Sequence, residues 1–147
     1  MSVQDPDAAG IEGTDDLAHE LRVTIGRMAR ELRSRYQFGL TQVTVLGSLQ
    51  RDGSQSISQL AAAQRIRPQS MSQTLSEMEA EGLVRRSPDE HDGRRAKIDL
   101  TDAGLQALLA DRAALENWLN QMLEQFTDQE KRTLASAVEL MQRLIED

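Results

Sequence analysis

The sequence predicts a mainly α-helical protein with one small β-hairpin, which places it in the α+β class. Apolar residues recur at helical spacing along most of the chain, and good capping residues stand where these patterns begin. Near the middle, residues 87–93 are rich in turn formers and precede residues 96–100, which alternate apolar and polar side chains. The 147 residues are enough to bury a real core.

The N-terminal part predicts a leader followed by one amphipathic helix. Residues 1–13 contain Pro6 and two glycines among small and acidic residues, so we expect a disordered leader. The segment 14–40 then holds a helix that Thr14 caps and that reaches about Tyr36. Its apolar stripe consists of Leu17, Leu21, Ile25, Met28 and Leu32. We expect this helix to take part in dimerisation.

Residues 41–100 predict a compact unit of short helices followed by the hairpin. Thr41 caps a helix that ends near Asp52, and Ser58 caps a run of good helix formers that ends at Gln64. After a tight turn over residues 65–67, the next helix begins at Pro68, where a missing N–H costs nothing.

The helix that begins at Pro68 has two distinct faces, and it stops at Gly82. Met71, Leu75 and Met78 share one stripe, so this side packs inward. The outward side carries uncharged polar residues, and glutamine can pair bidentately with adenine in the DNA major groove. We therefore expect Gln69, Gln73 and Ser76 to read bases, and Arg67, Ser70 and Ser72 to hold phosphates. The simpler alternative is that this side is only solvated.

The hairpin carries a group of arginines beside this helix. Residues 83–86 and 96–100 predict its two strands, and Arg94 and Arg95 stand on the returning edge of the turn. Such a tip can reach the adjacent minor groove or the phosphates. Arg85 and Arg86 on the first strand either contact DNA or pair with acidic residues of the turn.

Residues 101–147 predict two further helices with apolar faces that another chain could cover. Thr101 starts a long helix, and residues 127–130 form a capping box that opens the last one. The last helix has an apolar stripe made of Leu134, Val138, Met141 and Ile145. Because the terminal helices carry more apolar surface than the small central unit can cover, we expect them to bury it in a homodimer.

The net charge of −7 argues against a nucleic-acid partner until its distribution is considered. Residues 41–100 hold 8 basic and 8 acidic residues, so the whole deficit lies outside the segment that would read DNA. Local potential on one face steers binding more than the total charge does. The absence of cysteine excludes disulfides, thiol catalysis and cysteine redox sensing.

Motifs in the central segment resemble the MarR family of winged helix-turn-helix transcriptional regulators. They are Leu40-Thr41, Ile57-Ser58-Gln59-Leu60-Ala61, Pro68-Gln69-Ser70-Met71-Ser72, Glu81-Gly82-Leu83-Val84-Arg85-Arg86, Asp92-Gly93-Arg94-Arg95-Ala96-Lys97 and Leu100-Thr101-Asp102-Ala103-Gly104. The resemblance covers nearly all of the chain beyond the leader. It implies a homodimer on a near-palindromic operator, a repressor that small, often aromatic anions release, and a wing arginine at Arg94 held by Asp92.

Two residues depart from the family pattern. Arg65 stands in the turn where many members carry glycine, so the turn is either strained in the left-handed region or differently shaped. Gln73 stands where many members carry arginine, which changes the expected base preference. The complete set of expected DNA contacts is Arg67, Gln69, Ser70, Ser72, Gln73, Ser76, Arg86, Asp92, Arg94 and Arg95.

An effector site is implied by the resemblance, between the dimerisation helices and the winged domain. Candidate residues for holding an aromatic acid are Tyr36, Phe38 and one arginine of the first helix, either Arg30 or Arg33.

Other classes of function find less support in the sequence. There is no nucleophile elbow, phosphate-binding glycine loop or paired-histidine metal motif, so we expect no enzyme, no metal and no cofactor. No apolar stretch approaches membrane-spanning length, which favours a cytoplasmic protein. The remaining alternative is a winged helix that binds only other proteins. It would not need Arg94 and Arg95 beside a polar helix face.

Overall fold

The computed structural model describes residues 13–146. Its elements are α1 (Thr14–Arg35), α2 (Leu40–Asp52), β1 (Gln55–Ser56), α3 (Ile57–Gln64), α4 (Pro68–Ala80), β2 (Val84–Pro88), β3 (Ala96–Leu100), α5 (Asp102–Leu123) and α6 (Asp128–Glu146). The predicted class, mainly helical with a small antiparallel sheet, is confirmed. The leader predicted for residues 1–13 lies outside the described residues except for Gly13.

The chain divides into two compact units, one that ends at Tyr36 and one that begins at Gln37. The first contains α1, which has no buried residue. The prediction that Thr14 caps this helix was wrong: Gly13 occupies the capping position, and no side chain caps the helix there. Asp15 and Asp16 lie in the first turn, where carboxylates favour the positive end of the helix dipole.

In the second unit, α2 begins two residues earlier than predicted. Thr41 is not its cap, because Gly39 takes the capping position and the Gln42 side chain accepts a hydrogen bond from the Gly39 N–H at 3.1 Å. The predicted end is confirmed, since the helix stops at Asp52 and Gly53 follows with a φ of 78°.

Helix α3 also begins earlier than the sequence predicted. Ser56, not Ser58, is its cap: Ser56 Oγ accepts a hydrogen bond from the Gln59 N–H, and Gln59 Oε1 accepts one from the Ser56 N–H. This reciprocal pair is a capping box, which satisfies two backbone donors at once. Ser58 therefore lies within the first turn of the helix.

The turn between α3 and α4 is strained at one residue. Arg65 adopts the left-handed conformation, with φ 54° and ψ 39°. Its N–H donates to Ala62 O, and the Ile66 N–H donates to Ala61 O, as in a Schellman motif. Of the two shapes that the sequence left open, the structure has the strained one. Pro68 then starts α4 as predicted.

The sheet has three strands in the order β1-β3-β2, all antiparallel. Strands β2 and β3 form the predicted hairpin, whereas the two-residue strand β1 was not predicted. It pairs Gln55 with Ile98 and Ser56 with Lys97. So short a strand has no recognisable period, and its assignment as a strand depends on its pairing with β3.

The core lies among α2, α3, α4, the sheet and the first half of α5. Met71, Leu75 and Met78 are completely buried, which confirms the inward face predicted for α4. The other core residues are Val45, Leu46, Leu49, Leu60, Ala61, Leu83, Val84, Ile98 and Leu108.

The start of α5 is fixed tightly against the end of α4. Thr101 Oγ1 accepts a hydrogen bond from the Gly104 N–H and donates to Gly82 O at 2.6 Å, which confirms the predicted cap. A Cβ on Gly104 would lie 2.0 Å from Leu83 O, so only glycine fits there. The predicted capping box at the start of α6 is also confirmed, because Thr127 and Glu130 bond each other reciprocally.

None of the helices within residues 13–146 combines the length and apolar character needed to cross a lipid bilayer.

Candidate nucleic-acid interface

Two glutamines form the open part of the outward face of α4. Gln69 and Gln73 are exposed, and within residues 13–146 neither side chain makes a hydrogen bond. Arg67, at the capping position of α4, and Ser70, in its first turn, are exposed as well, whereas Ser72 is half-buried. Because the buried methionines and leucine fix the opposite side of the helix, this polar face is presented outward on a rigid element.

The structure gives Arg86 and Ser76 protein partners. Arg86 Nη2 donates hydrogen bonds to Ser76 Oγ at 2.8 Å and to Ser72 O at 3.1 Å. Its Nε lies 3.5 Å from Glu79 Oε2, and its backbone N–H donates to the same oxygen at 3.1 Å. Ser76 Oγ also donates to Ser72 O. The prediction that Arg86 pairs with acidic residues of the turn was wrong, because its acidic partner is Glu79 on α4. Its contact with DNA stays a prediction.

The tip of the hairpin presents its two arginines to solvent. Arg94 and Arg95 are both exposed. Asp92 Oδ1 accepts a hydrogen bond from the Arg94 backbone N–H at 3.1 Å, and Asp92 Oδ2 lies 3.6 Å from Arg95 Nε. The family resemblance implied that Asp92 holds Arg94. In the structure the Asp92 carboxylate binds the backbone N–H of Arg94 and pairs with the side chain of Arg95. Within residues 13–146, no acidic group pairs with the Arg94 guanidinium.

One carboxylate ties the three strands together, and the sequence analysis did not identify it. Asp99, on β3, accepts hydrogen bonds from the hydroxyls of Ser54, just before β1, and Ser87, on β2. The hydrogen bond from Ser54 is the largest cause that holds the pKa of Asp99 below its ordinary value. Burial of the carboxyl opposes this bond, and the hydrogen bond from Ser87 adds to the lowering. The alternation of β3 marked Asp99 as polar, but only the fold brings the two serines to it.

The tip itself is organised by local hydrogen bonds. Asp89 Oδ1 accepts a hydrogen bond from the His91 N–H at 2.8 Å, and this bond lowers the pKa of Asp89. The Asp89 N–H donates to Arg95 O, which closes the hairpin. Within residues 13–146, no group of three histidine or acidic side chains converges as metal ligands would.

The candidate effector residues lie on both units. Arg30 and Arg33 are exposed on α1, and Tyr36 follows that helix half-buried. Phe38 belongs to the second unit and packs against its core. Their role in holding a ligand stays a prediction.

Comparison with known proteins assigns the family. A family model described as MarR family matches residues 36–95. An uncharacterized HTH-type transcriptional regulator of Mycobacterium bovis is 31% identical over 134 residues, which span 89% of this chain and 94% of that protein. An HTH-type transcriptional regulator of Mycobacterium tuberculosis matches with the same identity and coverage.

Solved structures of regulators have the same fold. A putative transcriptional regulator of Pseudomonas aeruginosa has a TM-score of 0.76 at 31% identity, over 89% of this chain and 94% of that one. A mutant of Staphylococcus aureus MepR bound to an oligodeoxyribonucleotide has a TM-score of 0.66 at 21% identity, over 88% and 97%. The chain thus belongs to the MarR family of winged helix-turn-helix, DNA-binding transcriptional regulators.

Proposed function

We propose that this regulator binds a near-palindromic operator as a homodimer and represses transcription until a small ligand releases it. One observation supports the DNA-reading part of the proposal. Helix α4 exposes Gln69 and Gln73 without side-chain hydrogen bonds, and the tip of the hairpin exposes Arg94 without an acidic partner, within residues 13–146. A polar helix face suits the major groove, and an arginine tip suits the flanking minor groove.

Each exposed residue has a proposed role. Gln69 and Gln73 read base edges, for which their free amides supply both a donor and an acceptor. Arg67 and Ser70 hold phosphates at the start of α4, where the helix dipole also favours an anion. Arg94 enters the minor groove, and Asp92 orders the tip while Arg95 contacts a phosphate. Ser72, half-buried, holds a phosphate at the edge of this surface.

The homodimer is supported by apolar surface on the terminal helices. The exposed fractions are 48% for Val138, 71% for Leu144 and 84% for Ile145 on α6, and about half for Ile25 and Met28 on α1. Burying apolar surface of this kind against a second copy would stabilise the dimer by about 25 cal/mol per Å². A symmetric dimer would present two copies of α4 to the DNA.

For the effector we propose a small anion, aromatic in many family members. On the first unit, Arg30 or Arg33 supplies positive charge and Tyr36 supplies a ring; Phe38, on the second unit, stays a separate candidate. Such a ligand would act by population shift, stabilising a dimer whose two α4 helices do not match the pitch of B-DNA. We propose that this regulator works in the cytoplasm, where it would meet the DNA that it binds.

Selection of bound sequences from random DNA tests the proposal. We expect an enriched palindrome, and we expect phenolic acids to reduce its binding. Arg94→Ala should weaken binding by roughly ten-fold or more with folding intact, whereas Arg132→Ala, an exposed arginine on α6, should have little effect. If the parent protein enriches no sequence and instead binds only other proteins, the chain is an interaction module and the proposal fails.

A further inference from the structure

We propose that Arg86 is a positioning residue that fixes the recognition helix α4 against the hairpin, and thereby sets base discrimination without contacting DNA. The inference rests on the proposed DNA-reading function of α4. It replaces the prediction that Arg86 and Ser76 are themselves DNA contacts.

The side chain of Arg86 is aimed at the helix by the sheet. Arg86 lies directly opposite the buried Ile98 in the antiparallel pair of β2 and β3. Directly opposite residues point to the same face of a sheet, so Arg86 leaves β2 on the side of the core and the helices. Its side chain is 28% exposed, which fits a stem that lies along apolar surface with its head near the edge.

The guanidinium reaches three groups of α4 that are spread along the helix. They are the carbonyl of Ser72, the hydroxyl of Ser76 and the carboxylate of Glu79. Seven residues separate the first from the last, which is about two helical turns. A contact at one point would leave the helix free to pivot, but contacts over two turns fix its direction relative to β2.

The anchored stretch includes the residue that reads bases. Gln73 lies between Ser72 and Ser76, on the same two turns. We call the contacts of Arg86 with α4 the clamp. Since β2 continues into the hairpin that carries Arg94, the clamp connects Gln73, proposed for the major groove, to Arg94, proposed for the minor groove. Bidentate pairing with a base tolerates little displacement, because both hydrogen bonds need good geometry at once.

The clamp requires arginine because of the shape of the guanidinium group. A planar guanidinium has several donors in a fixed fork and can bond a carbonyl, a hydroxyl and a carboxylate together. Lysine keeps the charge but has one flexible ammonium group, so it cannot hold the three acceptors in the same geometry. A phosphate contact, in contrast, would be restored largely by lysine.

The test measures binding to the selected operator and to random DNA over a range of salt. For both Arg86→Ala and Arg86→Lys we expect the ratio of operator to random affinity to fall by about ten-fold, the discrimination carried by one base contact. The salt slope of Arg86→Lys should stay that of the parent. Ser76→Ala should lower the ratio in the same direction by less, without changing any charge.

Arg85→Ala is the matched control, because Arg85 is an exposed arginine of the same strand and has no hydrogen bond to α4. Any effect of its lost charge should fall equally on operator and random DNA. If Arg86→Ala does not fold, as its thermal melt would show, Arg86→Lys and Ser76→Ala carry the test.

The inference is overturned if Arg86→Lys restores parental discrimination. It is also overturned if Arg86→Ala weakens operator and random DNA alike and lowers the salt slope by about one, the signature of a lost phosphate contact. Neither result would remove operator binding by the parent protein, so failure of this inference is distinguishable from failure of the proposed function.

Discussion

At the scale of single residues, Gln73 is where this chain differs most informatively from many members of its family. Glutamine has a neutral amide where arginine has a charged fork, so in its proposed base-reading role Gln73 should prefer adenine over guanine. The sequence was sufficient to predict that Gln73 lies on the outward face of α4, and the structure places it exposed and unbonded there.

We expect Gln73→Ala to cost about 1–3 kcal/mol on the selected operator and to relax base choice at a single position of each half-site. Competition binding against operators changed one base at a time measures both effects. Gln121→Ala, an exposed glutamine on α5, is the control and should leave binding unchanged. Equal weakening on every sequence would contradict a base-reading role.

Arg65 stores strain in the turn before α4. For a residue with a Cβ, the left-handed region costs about 1–2 kcal/mol, and glycine avoids this cost although it loses more entropy on folding. We therefore expect Arg65→Gly to raise the free energy of unfolding by about 0.5–1 kcal/mol in urea denaturation. Arg65→Ala removes the same charge but keeps the Cβ, so it should give no such gain. Equal gains in both variants would show that charge, not strain, is responsible.

At the scale of elements, one error was local, and the features that the sequence could not predict depend on contacts between distant segments. The cap of α3 was misplaced because Ser56 and Ser58 are equally good capping residues; the Gln59 that follows Ser56 at capping-box spacing was the signal that distinguishes them. Strand β1 exists only through its pairing with β3. The clamp by Arg86 joins two elements that no local pattern connects.

Asp99 makes the sheet sensitive to acid. Hydrogen bonds from Ser54 and Ser87 lower the pKa of this carboxyl from its ordinary 3.8, so the folded protein binds fewer protons there than the unfolded chain. The stabilisation is complete above about pH 3.8 and is lost as the pH falls through the lowered pKa of the folded state.

We expect Asp99→Asn to lower the free energy of unfolding by about 1–2 kcal/mol at pH 7, since hydrogen bonds to a charged acceptor are lost. The difference from the parent should shrink as the pH falls from 3.8 through the lowered pKa of Asp99 in the folded state. Urea denaturation at pH 7 and in acid measures this. Asp52→Asn, at an exposed site, should change little at either pH. A difference that stays constant into acid would contradict the account of Asp99.

At the scale of the whole molecule, charge and apolar surface are separated along the sequence. The balanced segment 41–100 contains the elements proposed to read DNA, and the acidic excess lies on the flanking segments together with the exposed apolar side chains of α1, α5 and α6. The sequence alone predicted this separation of charge from apolar surface, because apolar stripes without a partner indicate an interface. It could not predict which helix faces which in a dimer.

We expect Val138→Glu to dissociate the dimer, because it places a charge in the apolar stripe of α6. Molar mass from light scattering should fall from that of two chains to that of one, and operator affinity should fall with it. Ser136→Glu adds the same charge away from that stripe and should leave the dimer intact. A parent protein that is already a single chain at working concentration would contradict the dimer.

The most direct measurement is hydroxyl-radical footprinting of the protein on its selected operator. Two copies of α4 held in successive major grooves predict two protected segments related by a two-fold axis, with centres about 10–10.5 base pairs, or roughly 34–36 Å, apart. Additional protection should appear outside each segment, where Arg94 enters the minor groove. A single asymmetric protected segment, or uniform protection without a centre of symmetry, would contradict the account.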